Sequence, residues 1–203
     1  MDMQPAGEYS RTTVPTRPLR QTGPMATPIR PTAGRLLVAT PPLVDPNFDR
    51  TVVYVVEHRD DGALGVVLNR PSDEILRPPL DRWVDLLGDP AVVFLGGPVE
   101  PDGFVGLTAS RRPHGTTPVE AVDLSAPPAQ EDEGRTVRIF RGYAGWGPGQ
   151  LEHEIAEGAW IVLDADPADI VGSTPDDLWR SVLRRQSGRL SWLADAPDDL
   201  ALN

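Results

Sequence analysis

The apolar positions of this chain come in short blocks set apart by glycine, proline and acidic turns, and the blocks begin abruptly at Gly34. Arg35 to Thr40 reads as a strand stopped by Pro41-Pro42. Thr51 to His58 is apolar on both faces, the mark of a buried central strand. Arg59-Asp60-Asp61-Gly62 turns it back into a second strand, Ala63 to Asn69, so that the two form a predicted hairpin. Leu80 to Leu87 has helical spacing, with Gly88 as its stop. Ala91 to Leu95, Gly103 to Thr108, Val119 to Leu124 and Thr136 to Phe140 follow as strands. Between the last two lies an acidic, proline-bearing surface loop, Ser125 to Gly134.

Arg141 to Glu152 then reads as a strand end, a glycine-rich loop over Gly142–Gly149 and the start of a helix, Pro148 to Glu157. Ala159 to Asp164 is a further strand. Thr174-Pro175-Asp176-Asp177 signals a helix start: a capping hydroxyl, a proline in the first turn and acids near the positive dipole end. Leu178, Trp179, Val182 and Leu183 give that helix its apolar face. Roughly seven strands and three or four helices, in no regular β-α-β order, predict an α+β domain with a mixed sheet over residues 34–203. Residues 1–33 carry many Pro, Thr and Arg with no apolar period and read as a disordered tail, with Met25 as an alternative start.

Composition narrows the chemistry mainly through absences. The 203 residues include no cysteine, which excludes thiol nucleophiles, disulfides and cysteine metal sites. All 19 basic residues are arginine, which excludes a Walker A lysine and a lysine Schiff base. The net charge is −11; residues 1–33 hold four arginines against Asp2 and Glu8, so the rest of the chain carries −13. So acidic a body argues against nucleic acid as a partner. No apolar run approaches a membrane span, and no basic-then-apolar leader pattern is visible, so a cytoplasmic location and no membrane partner are expected.

Two constellations are candidates for binding. The first is the glycine-rich loop, where Gly142, Tyr143, Gly145, Trp146, Gly147 and Gln150 could present backbone N–H groups and ring faces to a small anionic ligand. Its glycine spacing is not the dinucleotide fingerprint, Pro148 removes one donor, and the favoured reading is a tight structural turn. The second is the open end of the hairpin, where Arg50, Asn69 and Arg70, with Asp45 or Asp49, could clamp an anion or simply tie turns together. Glu57 and His58 lie roughly 20 Å away at the hairpin tip, at about 3.3 Å per residue, so the polar residues of the hairpin cannot form one site. Adjacent strand residues face opposite ways, so Glu57 and His58 are no acid–base dyad, and His58 reads as a partly exposed strand-end histidine. No histidine pair has metal-ligand spacing; His153 and Glu157 read as a surface pair on one helix face. Arg180, Arg184, Arg185 and Arg189 form a basic cluster that suits a helix C-terminus better than nucleic acid. No catalytic residue, metal or cofactor is assigned.

The strings Gly34-Arg-Leu-Leu-Val-Ala-Thr-Pro41, Asp45-Pro-Asn-Phe-Asp-Arg-Thr-Val-Val-Tyr54, Glu57-His58, Gly62-Ala-Leu-Gly-Val-Val-Leu-Asn-Arg-Pro71, Gly96-Gly-Pro-Val99, Gly142-Tyr-Ala-Gly-Trp146, Gly149-Gln-Leu-Glu152 and Ala159-Trp160 resemble the YqgE/AlgH family of bacterial proteins. The resemblance implies a compact α+β fold with a branched sheet surrounded by helices. It implies no established activity, and a role proposed for the family in transcriptional regulation, including alginate control. Three departures stand out: the additional N-terminal tail, Val56 where some relatives have cysteine, and Ser125–Gly134 in place of a helix. The expected function is therefore a non-enzymatic regulatory or interaction protein with a protein partner. The alternative is a small-molecule sensor or enzyme using the Gly142–Gly149 loop with Arg50 or Arg70.

Overall fold

A computed structural model describes residues 32–43, 45–109, 119–129, 135–172 and 174–196. Residues 1–31, most of the expected tail, and residues 130–134 of the acidic loop lie outside them. The strands are β1 (Arg35–Ala39), β2 (Val52–Arg59), β3 (Gly62–Val67), β4 (Phe94–Leu95), β5 (Val99–Ala109), β6 (Val119–Val122), β7 (Thr136–Trp146) and β8 (Trp160–Asp164). The helices are α1 (Gln150–Ala156), α2 (Pro167–Val171), α3 (Leu178–Arg184) and α4 (Arg189–Leu193), with 3-10 helices at Leu80–Leu86 and Pro175–Asp177. The fold is α+β, as expected. One sheet runs in the order β6-β5-β7-β3-β2-β1-β8, and β4 branches from it onto β7. Every pairing is antiparallel except β4 with β7, so the sheet is mixed.

The branch follows from the length of β7. Its first part pairs with β5, from Ala109 opposite Thr136 to Phe104 opposite Arg141, while its last three residues pair with β3, from Ala63 opposite Trp146 to Gly65 opposite Ala144. β4 lies against Phe140 and Arg141. Gly142, at φ 68°, interrupts the alternation between the two parts. Phe140 and Tyr143 therefore face the same core despite their odd spacing.

The two faces are closed by the expected helices after Gly149 and Asp177, together with α2 and the Phe48 turn, which the apolar periods do not predict. Leu36, Val38, Val52, Tyr54, Val66 and Phe140 meet Ile170 of α2 and Leu178, Trp179, Val182 and Leu183 of α3. Each of those large side chains stabilises the fold by roughly 1.5–3 kcal/mol on burial. The Trp179 indole also donates to the Ala39 carbonyl at 2.8 Å. On the opposite face, Leu37, Val53, Val55, Val67, Ala144 and Trp146 meet Leu151 of α1, Trp160 and Phe48. A third cluster seats Trp83 of the first 3-10 helix on Val137 and Ile139.

Several boundaries differ from the sequence reading, each for a local reason. Leu80 to Leu86 is 3-10 rather than α, and Leu87 leaves it extended to bridge Val137 before Gly88 is reached. Only Phe94 and Leu95 of the Ala91–Leu95 run are strand, whereas β5 starts at Val99, a bulge between Val99 and Phe104 accommodating Glu100 at φ 46°. Thr174 makes no capping bond. The capping box belongs to α2, where Asp166 accepts from the backbone and the Asp169 side chain accepts from the Asp166 N–H at 2.8 Å. Asp169 also takes both Arg185 amino groups, at 2.7 and 2.5 Å. Arg184 pairs with Asp195 and Arg180 donates to the Ala194 carbonyl, so the expected basic cluster is divided among separate partners. Arg138 is buried against Phe94, donating to the carbonyls of Asp89 and Gly172, and desolvation lowers its pKa to about 10.

Candidate functional site

The expected loop is largely strand. Residues Gly142 to Trp146 belong to β7, and Gly142 is there because another backbone comes close. A side chain at Gly142 would strike the Gly97 carbonyl, and one at Gly97 would strike Tyr143. The loop proper is Gly147 to Gly149, closed by the Gly147 N–H donating to Gln150 Oε1 at 3.0 Å and by Gln150 N–H returning to the Gly147 carbonyl. Those donors are already engaged, and α1 at seven residues is short.

The polar residues of this motif point at one another. The indole N–H groups of Trp146 and Trp160 donate to the same oxygen of Glu154, at 2.9 and 2.8 Å, and Gln150 Nε2 donates to its other oxygen at 2.9 Å. The two indoles and Phe48 pack edge-on and stacked with centroids 5.6–6.4 Å apart. Trp146 is 6% exposed and Trp160 is 4% exposed. Glu154 thus locks α1 onto the sheet.

His58 is part of the same closed face: the residue as a whole is half-buried, as expected, but its side chain is only 7% exposed. The cause is a bulge in β2 between Val55 and Glu57. Val53 and Val55 face α1, and without the bulge Glu57 would follow them; with it, Glu57 turns away and His58 turns in. The backbone N–H and hydroxyl of Thr32 both reach His58 Nδ1, at 3.2 and 2.8 Å. An N–H can only donate, so Nδ1 accepts, and the ring proton sits on Nε2 and goes to Glu152 at 2.9 Å. The hydroxyl–imidazole–carboxylate connectivity has the order of a catalytic triad. Thr32, however, is 2% exposed, and neither it nor His58 lines the groove described below, so the three act as a tie between the chain's first described residue and α1.

At the open end of the hairpin, Asn69 acts as a piece of backbone: its Oδ1 accepts from Val52 N–H and its Nδ2 donates to the Arg50 carbonyl, both at 2.9 Å. Arg70 donates to the carbonyls of Pro46 and Asp49, and Asp45 accepts from the Asn47 N–H as a turn cap. Arg50, at φ 49°, lays its guanidinium 4.7 Å over the Trp179 ring and donates to the Ala196 carbonyl. A hollow of about 140 Å³ beside Arg70 is lined by Asn47, Val67, Leu95, Gly97 and Pro98. None of these bonds runs from Arg50, Asn69 or Arg70 to the glycine-rich segment.

Tyr143, Gly145 and Trp146 converge instead with the hairpin tip. An open groove of about 560 Å³ is lined by Glu57, Arg59, Asp61, Leu64, Val99, Tyr143 and Gly145, among others. The row Glu57–Leu64–Gly145 follows from strand register. Glu57 holds Arg59 at 3.1 Å, and the Tyr143 hydroxyl lies 3.4 Å from Glu100 on the β5 bulge. The Tyr143 pKa is raised, first by desolvation and then by the charge of Glu100 and its hydrogen bond. The groove's carboxylates, its aromatic wall and the bare floor at Gly145 were not connected by the sequence reading, since neither the bulge nor the β3–β7 pairing is visible there. Among the described residues no three acidic, histidine or cysteine side chains are placed to share a metal ion, and no helix is long and apolar enough to cross a membrane.

Comparison with known proteins gives one consistent family. A family model described as AlgH-like matches residues 36–191. A UPF0301 protein of Streptomyces avermitilis is 49% identical over 184 residues, covering 84% of this chain and 94% of the relative. A UPF0301 protein of Mycobacterium tuberculosis is 45% identical over 184 residues, covering 84% and 90%. The crystal structure of a Corynebacterium diphtheriae protein, DIP2367, superposes with TM-score 0.75 at 30% identity, covering 82% of this chain and 93% of the other. The solution structure of the AlgH protein from Pseudomonas aeruginosa superposes with TM-score 0.56 at 30% identity, covering 85% and 97%.

Proposed function

The chain belongs to the AlgH-like family, and on that premise we propose that it is a non-enzymatic cytoplasmic binding protein whose groove at the hairpin tip receives a cationic side chain of a protein partner. The observation that carries this reading is the groove lining: Glu57 and Asp61 share it with Tyr143, whose hydroxyl meets Glu100, and the cation of that lining, Arg59, is itself paired to Glu57. Carboxylates beside an aromatic face suit a guanidinium or ammonium group, through charge and cation–π attraction together. The same lining is unfavourable to the small anion expected from sequence, and the donors of Asn69, Arg70 and Gln150 that an anion would need are engaged with backbone or Glu154. A regulatory role through partner binding agrees with this, and the −13 body disfavours direct contact with DNA.

Titration calorimetry with a tri-arginine peptide tests the reading, with tri-glutamate as control. Tri-arginine is expected to bind, to weaken as salt is added, and to shift the amide resonances of Glu57, Asp61 and Tyr143. Binding that is absent from the wild type and also from a chain whose Arg11, Arg17, Arg20 and Arg30 are replaced by Gln, or that survives Glu57→Gln with Asp61→Asn, overturns it.

A further inference from the structure

We infer that the groove has an occupant within the same chain: the arginine-bearing N-terminal segment, residues 1–31, which an incoming partner must displace. The inference rests on the cationic-groove reading above. Three observations support it. The first is where the segment joins the fold. Thr32 is bonded through both its N–H and its hydroxyl to His58, and His58 lies between Glu57 and Arg59, two residues of the groove wall. The Thr32–His58–Glu152 tie thus brings the segment to the hairpin-tip end of β2, on the face that backs onto the groove.

The second is charge. Arg11, Arg17, Arg20 and Arg30 face only Asp2 and Glu8 within the segment, while the remainder of the chain carries −13. The hairpin tip contributes Glu57, Asp60 and Asp61, and the β5 bulge contributes Glu100. The third is reach. At about 3.3 Å per residue, Arg30 can stand roughly 7 Å from Thr32, close to the tip, and the other arginines have ample chain to follow. A tether of this kind holds its end near the groove at an effective concentration of about 1 mM, so even weak intramolecular contacts compete with a free ligand.

The test uses the full-length chain and a synthetic peptide copying residues 9–31 as the probe. A variant carrying Arg11→Gln, Arg17→Gln, Arg20→Gln and Arg30→Gln loses its own occupant without any change in the described fold. The peptide is expected to bind this variant at least about 10-fold more tightly than it binds the wild type, whose groove is already filled. Adding Asp61→Asn, in an exposed turn, is expected to remove that gain. Equal affinity for wild type and variant overturns the inference and leaves the groove reading standing. No binding to either protein overturns both.

Discussion

Ala144 and the Trp146 indole pack into the face closed by α1, with Trp146 only bordering the groove, whereas Tyr143 and Gly145, from the same stretch of β7, look into that open groove. On the first side every named polar group has found a partner: Glu154 takes both indoles and Gln150, Glu152 takes His58, and Gln150 takes the Gly147 N–H. On the second side carboxylates and a phenol border a space with no side chain filling it at Gly145. Consecutive residues of one strand thus serve opposite ends, one side holding the molecule together and the other kept available. A motif that identifies a family can do so for architectural reasons on one face while the binding surface lies on the reverse of the same residues.

The largest expected effect lies on the closed side. Glu154→Leu strands two indole donors, 6% and 4% exposed residues, without an acceptor, and should cost about 3 kcal/mol in urea unfolding, since each orphaned buried donor costs about 1–3 kcal/mol. Glu154→Gln, which keeps one acceptor oxygen, should cost distinctly less. A loss below about 0.5 kcal/mol for Glu154→Leu would break the contrast between the two faces.

A matched pair of glycines comes next. A methyl group at Gly65, on the closed side, would sit 2.7 Å from Val53 Cγ1 and 2.8 Å from the Tyr54 carbonyl; at Gly145, on the open side, it would meet Tyr143 and Val99 at ordinary distances of 3.4 and 3.5 Å. Gly65→Ala should therefore lower stability by about 1–3 kcal/mol, and Gly145→Ala should leave it within about 0.5 kcal/mol, both read from chemical melts. If the two substitutions cost the same, the faces do not differ in packing.

His58→Ala should cost about 1–2 kcal/mol and should raise amide exchange at Thr32 and in α1, whose tie it removes. Unchanged exchange at Thr32 would show that the tie does not hold that residue. The smallest effect concerns Tyr143. A phenol whose folded-state pKa is raised contributes stability that is present below its unfolded value of 10.0 and lost as pH rises through the folded value. Glu100→Gln removes the charge and keeps an acceptor for the hydroxyl, so the phenol should titrate at lower pH by ultraviolet absorbance, with stability at neutral pH unchanged. An unmoved titration would separate Glu100 from the groove.

Much of the scaffold is legible in the sequence because its periods are strong: β1, the β2–β3 hairpin, β8 and the apolar face of α3 lie where hydrophobic alternation puts them. The glycine-rich segment was opaque because glycine serves two needs, turning and close approach, and its sequence does not say which. Here Gly142 does both, at φ 68° and against the Gly97 carbonyl. The face His58 takes is hidden in the sequence because one extra residue in β2 exchanges the faces of everything after it, and Val56 has no composition that announces a bulge. The α2 capping box, Asp166 with Asp169, is written in the sequence too, but less conspicuously than Thr174-Pro175.

The pairing of β1 with β8 has a consequence for how the chain is made. Leu37 lies opposite Val162, so the first strand of the sheet waits for one of the last before its outer edge is covered. During synthesis β1 can pair with β2 early, yet Leu36, Leu37, Val38 and Ala39 keep one row of backbone groups unpaired until Trp160 to Asp164 has left the ribosome. A chain released before Trp160 would carry that apolar edge permanently, an open invitation to strand-to-strand aggregation. Completion of the last quarter of the protein is what makes the first strand safe.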